Sequence, residues 1–231
     1  MNAISRKAFI GCIGASGLGV FFGGCARRGV DQEVGAVEDL MREHGVLRRA
    51  LLVYEEVVSK LREESTPSVI DALHSVTKLF RAFGEDYHER NLEEAYIFPA
   101  LRDADASVSA LVNTLVGQHE RGRQITDYVL TLTKDVKIAS DRTVEITRIL
   151  QSFVLMYQNH AAREDTIIFP VWKEVLSSGE LEEMGEKFED IEHKQFGEDG
   201  FEKAVRQIAE IEDSLGLGNI AQFTPQPPPD L

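Results

Sequence analysis

Apolar residues recur at intervals of three and four along most of the chain, from about residue 33 to residue 215. This spacing places them on one face of an α-helix, and no stretch shows the sustained alternation of a half-buried strand. Polar and glycine- or proline-containing breaks divide the pattern into predicted helices at 33–63, 67–102, 107–136 and 141–176, with a broken segment at 180–214. Four long helices with short connections predict an all-α, up-down four-helix bundle with a C-terminal helical extension.

The predicted boundaries carry local signals. Thr66 precedes Pro67, which is typical of a helix N-cap followed by the first helical turn. A second capping site is predicted at 139–141, and residues 177–179 are expected to end the fourth helix. The tail at 216–231 contains the run PQPPPDL, in which the prolines exclude a helix.

The helical region also repeats itself. Residues 41–101 begin MREHGVLRRALLVYEEV and end DYHERNLEEAYIFPAL, and residues 116–172 begin VGQHERGRQITDYVL and end NHAAREDTIIFPVW. In each half a His precedes an arginine-containing helix, and a second His precedes adjacent acids and Ile-Phe-Pro. The first His of each half, His44 and His119, lie 75 residues apart, and the two Phe-Pro pairs lie 71 apart. The similar offsets predict an internal duplication of a helical hairpin.

Matched histidines and acids in the two halves carry the candidate chemistry. In an antiparallel bundle, inward-facing side chains from four helices converge on one point of the core. Buried carboxylates without partners would cost several kcal/mol each, and a pair of divalent cations bridged by carboxylates removes that cost. The candidate metal ligands are His44, His88, Glu93, His119, His160 and Glu164.

The neighbouring acids leave the choice of carboxylate open. Glu94 adjoins Glu93, and Asp165 adjoins Glu164. Glu93 and Glu164 are favoured because both lie five residues before the Phe of the repeated Ile-Phe-Pro. The alternative without metal is a bundle in which each His bonds to a nearby acid.

Other polar and aromatic residues are expected outside the site. His74 lies fourteen residues before His88, roughly 21 Å away along a helix axis, and His193 lies in an acidic helix. Core packing is the favoured role for Tyr54, Tyr87, Tyr96 and Tyr128. Two roles remain open for Arg48, Arg49, Arg121 and Arg123, which either neutralise carboxylates near the site or form interhelical pairs.

His44, the segment 88–93, His119 and the segment 160–165 together resemble hemerythrin and the hemerythrin-like HHE cation-binding domains. The resemblance covers about residues 37–176. It implies a four-helix bundle that holds a non-haem di-iron centre, that is, two Fe ions with bridging carboxylates. Manganese and zinc are the alternative metals.

Two positions depart from the hemerythrin pattern. Arg123 occupies the place of a further His, four residues after His119, and Leu92 occupies the place of the first carboxylate. A smaller number of imidazoles favours redox turnover or sensing over reversible O2 storage. The expected partner is therefore a small diatomic ligand or peroxide, and the expected role is a redox, O2 or NO response. Metal handling and a metal-free structural role are the alternatives.

Charge and the N-terminus bear on location. The formal net charge of −14 argues against nucleic-acid binding. Residues 1–24 combine a short basic start with a glycine-rich, uncharged run, and they resemble a bacterial lipoprotein signal peptide with a twin-arginine-like motif at 5–10. Cys25 is the expected lipidation site, followed by a linker at 25–36, so we expect an exported, membrane-anchored protein that faces the periplasm or the cell exterior. Sec export and an uncleaved signal anchor are the alternatives.

Overall fold

The structure, a computed structural model, describes residues 34–102, 106–134, 138–197 and 200–229, without the side chains of residues 140 and 141. The predicted signal peptide and Cys25 lie outside the described residues. The helices are α1 (Ala36–Glu63), α2 (67–100), α3 (Ala106–Thr133), α4 (140–175), α5 (Ser178–Phe196) and α6 (Gly200–Leu215), with a terminal 3₁₀ turn at Ile220–Phe223. No β-strand occurs within these ranges, so the predicted all-α class is confirmed.

The first four helices form the predicted bundle. α1 packs beside α2 and α4, and α3 closes the square by packing against the same two helices. Helices that are consecutive in the chain are therefore neighbours in space, which is the arrangement of an up-down bundle. The aromatic rings of Tyr54, Phe80, Phe153 and Tyr157 fill part of its centre, mostly edge to face, with centroids 4.7 to 6.1 Å apart.

The C-terminal extension covers one side of this bundle. α5 and α6 pack mainly on α1 and α2, the first helical hairpin. Ile208 of α6 is fully buried, and Phe188 of α5 stacks on Trp172 with 5.9 Å between ring centroids. Arg49 of α1 pairs with Glu212 of α6. The extension therefore shares the hydrophobic core of the bundle.

Two helices change their winding near the centre of the bundle. α2 runs as an α-helix over Pro67–Leu79, as a π-helix over Phe80–Ile97 and as an α-helical turn over Phe98–Ala100. α4 contains a shorter π-helix at Glu164–Ile168. π-Helical hydrogen bonds join residues five apart, so such residues lie one turn above each other. Periodicity in the sequence predicted ordinary helices here and missed this change.

The helix ends test the capping predictions. Thr66 accepts a hydrogen bond from the backbone N–H of Val69, as predicted for the start of α2. The side-chain cap expected at 139–141 is not formed by the N-cap residue, because Ala139 has no acceptor. Ser177 follows the end of α4 and also caps α5, exchanging hydrogen bonds with Glu180. No helix in the described ranges has the length and apolar character needed to cross a bilayer.

Candidate metal centre

The structure brings the six predicted ligand side chains together at one buried point inside the bundle. Each His comes from a different helix, and the two acids come from the helices that change to π-winding. Every one of the six residues is at most 3% exposed: His44 on α1, His88 and Glu93 on α2, His119 on α3, and His160 and Glu164 on α4.

The four imidazoles form two pairs. The Nε2 atoms of His44 and His88 lie 3.0 Å apart, and those of His119 and His160 also lie 3.0 Å apart. Two nitrogens that each lie about 2.1 Å from one ion, at a right angle, are about 3.0 Å apart. Each pair therefore has the spacing of two neighbouring ligands on one cation.

Each of the two central carboxylates spans both histidine pairs. Glu93 places Oε1 3.4 Å from His88 Nε2 and Oε2 3.4 Å from His119 Nε2. Glu164 places Oε2 3.5 Å from His44 Nε2 and Oε1 2.9 Å from His160 Nε2. None of the four oxygens makes a hydrogen bond of acceptable geometry within the described part of the chain. Such oxygens are costly in a dry core, and a cation on each side would compensate them.

A second layer of acceptors orients the imidazoles. When Nδ1 donates to an oxygen, Nε2 keeps its lone pair for a metal. The Nδ1–oxygen distances are 2.7 Å from His44 to Asp165, 2.7 Å from His88 to Glu43, 2.9 Å from His119 to Glu94 and 2.9 Å from His160 to Gln118. The structure thus places Glu94 and Asp165 behind the imidazoles, while Glu93 and Glu164 lie between the pairs.

The carboxylates at the centre favour positively charged groups beside them. Burial lowers the pKa values of His88 and His119, but the surrounding carboxylates more than offset this effect and hold both pKa values well above the usual range. Burial raises the pKa of Glu93, yet the two imidazoles hold it well below the usual range. The carboxylates that raise the pKa values of His88 and His119 would also favour bound cations, and metal binding at these imidazoles displaces protons.

The structure distinguishes between the two roles left open for the arginines. Arg48 bonds to Asp165, and Arg123 lies 2.9 Å from Glu94, so both neutralise acids that hold imidazoles. Arg49 forms the interhelical pair with Glu212 of α6, and Arg121 is exposed. Arg48 and Arg123 each lie four residues after the first His of their half, so the duplication includes them.

A second buried polar cluster lies beside the centre, and the sequence reasoning missed it. The Tyr157 hydroxyl donates to Glu89 at 2.7 Å, and its ring lies 5.4 Å from that of His160. Glu85 is fully buried and 2.6 Å from Arg81. Burial raises the pKa of Glu85 to about 8, and Glu89 adds to this effect against the opposing influence of Arg81.

A small cavity adjoins the donor atoms. Leu47, Leu51, Phe80 and Tyr157 form part of its wall, beside the central imidazoles and carboxylates. The cavity has room for about one water molecule. The surroundings of the centre therefore suit a ligand of a few atoms.

The residues expected outside the site lie outside it, with one exception. His74 bonds to Thr133 at 2.8 Å, and His193 is exposed. Tyr54 is a core residue bonded to Thr77. Tyr87, in contrast, donates to Glu43, the acceptor behind His88, at 2.9 Å. The sequence did contain a signal for the acceptors behind the imidazoles, because Glu43 directly precedes His44 and Gln118 directly precedes His119.

Comparisons with known proteins agree with this geometry. The family model for the hemerythrin HHE cation-binding domain matches residues 35–172. Relatives from Mycobacterium bovis and Mycobacterium tuberculosis, each named as an uncharacterized protein, are 43% identical over 194 residues, which is 83% of this chain and 74% of theirs. No solved structure matches the chain significantly.

Substitution of the two adjacent acids on α2 separates their roles. Glu93→Gln removes a carboxylate that spans both histidine pairs, so we expect it to abolish binding of at least one metal ion. Glu94→Gln keeps an amide oxygen for His119 Nδ1, as Gln118 does for His160, and we expect a 10- to 100-fold weaker affinity at most. The metal that each variant retains after treatment with a chelator measures both effects. Equal losses in the two variants would contradict the assignment.

Gly122 makes room for Tyr157. A Cβ atom at position 122 would lie 2.0 Å from the Tyr157 hydroxyl oxygen, whereas one at the exposed Gly117 on the same helix meets nothing within 4 Å. We expect Gly122→Ala to destabilise the metal-free protein by about 1–3 kcal/mol through overpacking. The control Gly117→Ala should stabilise it by about 0.5–1 kcal/mol through helix propensity. Urea unfolding of both variants tests this, and a stabilised Gly122→Ala would show that Tyr157 moves freely.

The raised pKa of Glu85 predicts a pH dependence of stability. Only the unfolded chain releases this proton between the ordinary value of 4.5 and about 8, so the free energy of unfolding falls as the pH rises through that window. Glu85→Gln should be close to the wild type near pH 5 and exceed its stability by about 3–4 kcal/mol near pH 8. Urea unfolding with chelator at both pH values measures this. A difference that does not change with pH would place the carboxyl in its charged form.

Proposed function

Because the chain belongs to the hemerythrin HHE cation-binding domain family, we propose that it holds a non-haem di-iron centre that binds or reduces O2, NO or peroxide. One observation carries the proposal above the others. Four buried carboxylate oxygens of Glu93 and Glu164 lack hydrogen bonds in the described part of the chain and face two imidazole pairs. Two cations satisfy this arrangement better than one, because each carboxylate has an oxygen near each pair.

The donor set suits several metals, and the family favours iron among them. Mixed imidazole and carboxylate ligands suit iron, manganese and zinc, and the resemblance to hemerythrin implies iron. When bound, two irons would supply electrons to a small ligand and would polarise it. The four imidazoles would hold the ions through Nε2, together with the carboxylates of Glu93 and Glu164, and the surrounding core would keep bulk water out.

The surroundings of the centre support a small ligand. The wall formed by Leu51, Phe80 and Tyr157 leaves little space beside the imidazoles, which suits a diatomic molecule or peroxide. Arg123 pairs with Glu94 and Glu89 where hemerythrin carries a further His. One imidazole fewer leaves more of the metal coordination to carboxylate, solvent or ligand, which favours redox turnover or sensing over storage of O2.

The proposed location follows from the N-terminal sequence. Lipidation of Cys25 after removal of residues 1–24 would anchor the bundle to a membrane on its exported side. Radiolabelled fatty acid incorporated into the full chain, and lost in Cys25→Ala, tests the anchor independently of the metal centre.

Metal analysis tests the main proposal. After anaerobic loading with Fe(II), we expect two irons per chain in the wild type and a loss of bound iron in His119→Ala and His160→Ala. His74→Ala is the matched control, because His74 is a histidine of the same bundle that bonds to Thr133 away from the site. One iron or none would contradict the dinuclear centre. Preferential uptake of zinc or manganese would favour metal handling.

Optical spectra of the loaded protein then test the chemistry. Rapid oxidation in air, or turnover of added peroxide, is the expected behaviour of a redox centre. A stable oxygen adduct that reverses under vacuum would instead assign the protein to O2 carriage.

A further inference from the structure

A chain of hydrogen bonds runs from a central imidazole to the C-terminal extension. His88 Nδ1 bonds to Glu43 Oε2 at 2.7 Å, and the Tyr87 hydroxyl donates to the other oxygen of Glu43 at 2.9 Å. The same hydroxyl lies 3.3 Å from Glu192 Oε2 on α5, and Glu192 Oε1 accepts the backbone N–H of Phe201 on α6 at 2.8 Å. Glu192 of the extension is thereby connected to His88 through the side chains of Tyr87 and Glu43.

Glu192 differs from the other acids of its helix. It is 1% exposed, while Glu182, Glu183 and Glu186 on α5 are exposed. Burial of a carboxylate is costly unless hydrogen bonds compensate it. A Cβ atom at Gly200 would lie 2.7 Å from Glu192 Cγ, so the glycine at the start of α6 leaves room for this side chain. The position is therefore built around the carboxylate.

The second half of the duplication lacks this connection. Gln118, an amide, holds His160 where Glu43 holds His88. Asn159, the counterpart of Tyr87, is exposed and bonds within its own helix to Leu155. The extension packs mainly on the first hairpin, and the family match ends at residue 172, before α5 begins.

We propose that Glu192 and Tyr87 are positioning residues for the ion held by His44 and His88, and that seating of α5 and α6 is coupled to binding of that ion. The Tyr87 hydroxyl lies between the two carboxylates and donates to Glu43, with Glu192 holding the hydroxyl from the other side. Glu43 in turn keeps the proton on His88 Nδ1, which leaves Nε2 free to face a metal. Coupling of this kind is reciprocal, so an ion at this position also holds the extension in place. The proposal rests on the proposed dinuclear centre but not on its reaction with O2, NO or peroxide.

Zinc titration of the full chain tests the affinity side of the coupling. Tyr87→Phe removes only the hydroxyl, and Glu192→Ala removes the carboxylate. We expect each to weaken one of two bound Zn²⁺ ions about tenfold and to leave the other unchanged. Glu192→Gln keeps an oxygen for the Phe201 N–H and should recover most of the loss. Glu183→Ala, an exposed acid on the same helix, is the control and should bind both ions as the wild type does.

Hydrogen exchange tests the reciprocal side with a readout that a purely structural role would not move. In the wild type, Zn²⁺ should slow amide exchange in α5 and α6, and in Tyr87→Phe and Glu192→Ala this slowing should disappear while the bundle helices remain protected. Unchanged zinc affinity in both variants, or exchange in the extension that is insensitive to Zn²⁺ in the wild type, would overturn the coupling. A wild type that binds no metal would instead contradict the dinuclear centre itself.

Discussion

The carboxylates of Glu93 and Glu164 need positive charge at the centre of the bundle, and the rest of the structure depends on that need. Both are at most 1% exposed, and none of their four oxygens has a hydrogen bond in the described ranges. An apolar bundle of this size has no reason to enclose six polar groups unless they bind something, because apolar residues of similar volume would pack there at less cost. The acceptors behind the imidazoles and the paired arginines follow from this requirement, since each fixes or neutralises a group at the centre.

The change to π-winding explains why the spacing between the second His and its acid differs between the two halves of the repeat. Glu93 follows His88 by five residues, and a π-helix stacks residues five apart, so both face the centre. Glu164 follows His160 by four residues, at the point where the α-helical winding ends. Its Oε1 atom lies 2.9 Å from His160 Nε2. The two halves thus place equivalent ligands with different spacings, because the winding differs between them at these positions. A search that required one fixed spacing would have rejected the first half.

The sequence was sufficient to predict the helices and the meeting of the six candidate ligand side chains in the core, because both leave repeated patterns. Their role as metal ligands stays a prediction. Apolar residues recur every three to four positions along the helices, and each candidate ligand in the first half has a counterpart in the second. The π-helices were missed because, over a short stretch, the spacing of apolar residues does not distinguish a π-helix from an α-helix. Tyr157 and Glu85 were missed for a different reason. Their roles depend on partners such as Glu89 and Thr126 that other turns or helices supply. Glu85 and Tyr157 occupy equivalent positions of the two halves but have unlike side chains, so the repeat did not mark them.

Differences between the halves make the surroundings of the two imidazole pairs unequal. Behind the first pair lie the carboxylates of Glu43 and Asp165, and behind the second lie the carboxylate of Glu94 and the neutral amide of Gln118. Arg48 and Arg123 each offset one acid, Asp165 and Glu94. Glu89, with Oε2 4.0 Å from His119 Nδ1, adds a second carboxylate beside the second pair, so the halves differ in the kind of acceptor rather than in charge. The carboxylate of Glu43 makes His88 a stronger donor than the amide of Gln118 makes His160. The extension bonds through Tyr87 to this same carboxylate, so it acts on the half of the centre in which the outer layer already differs.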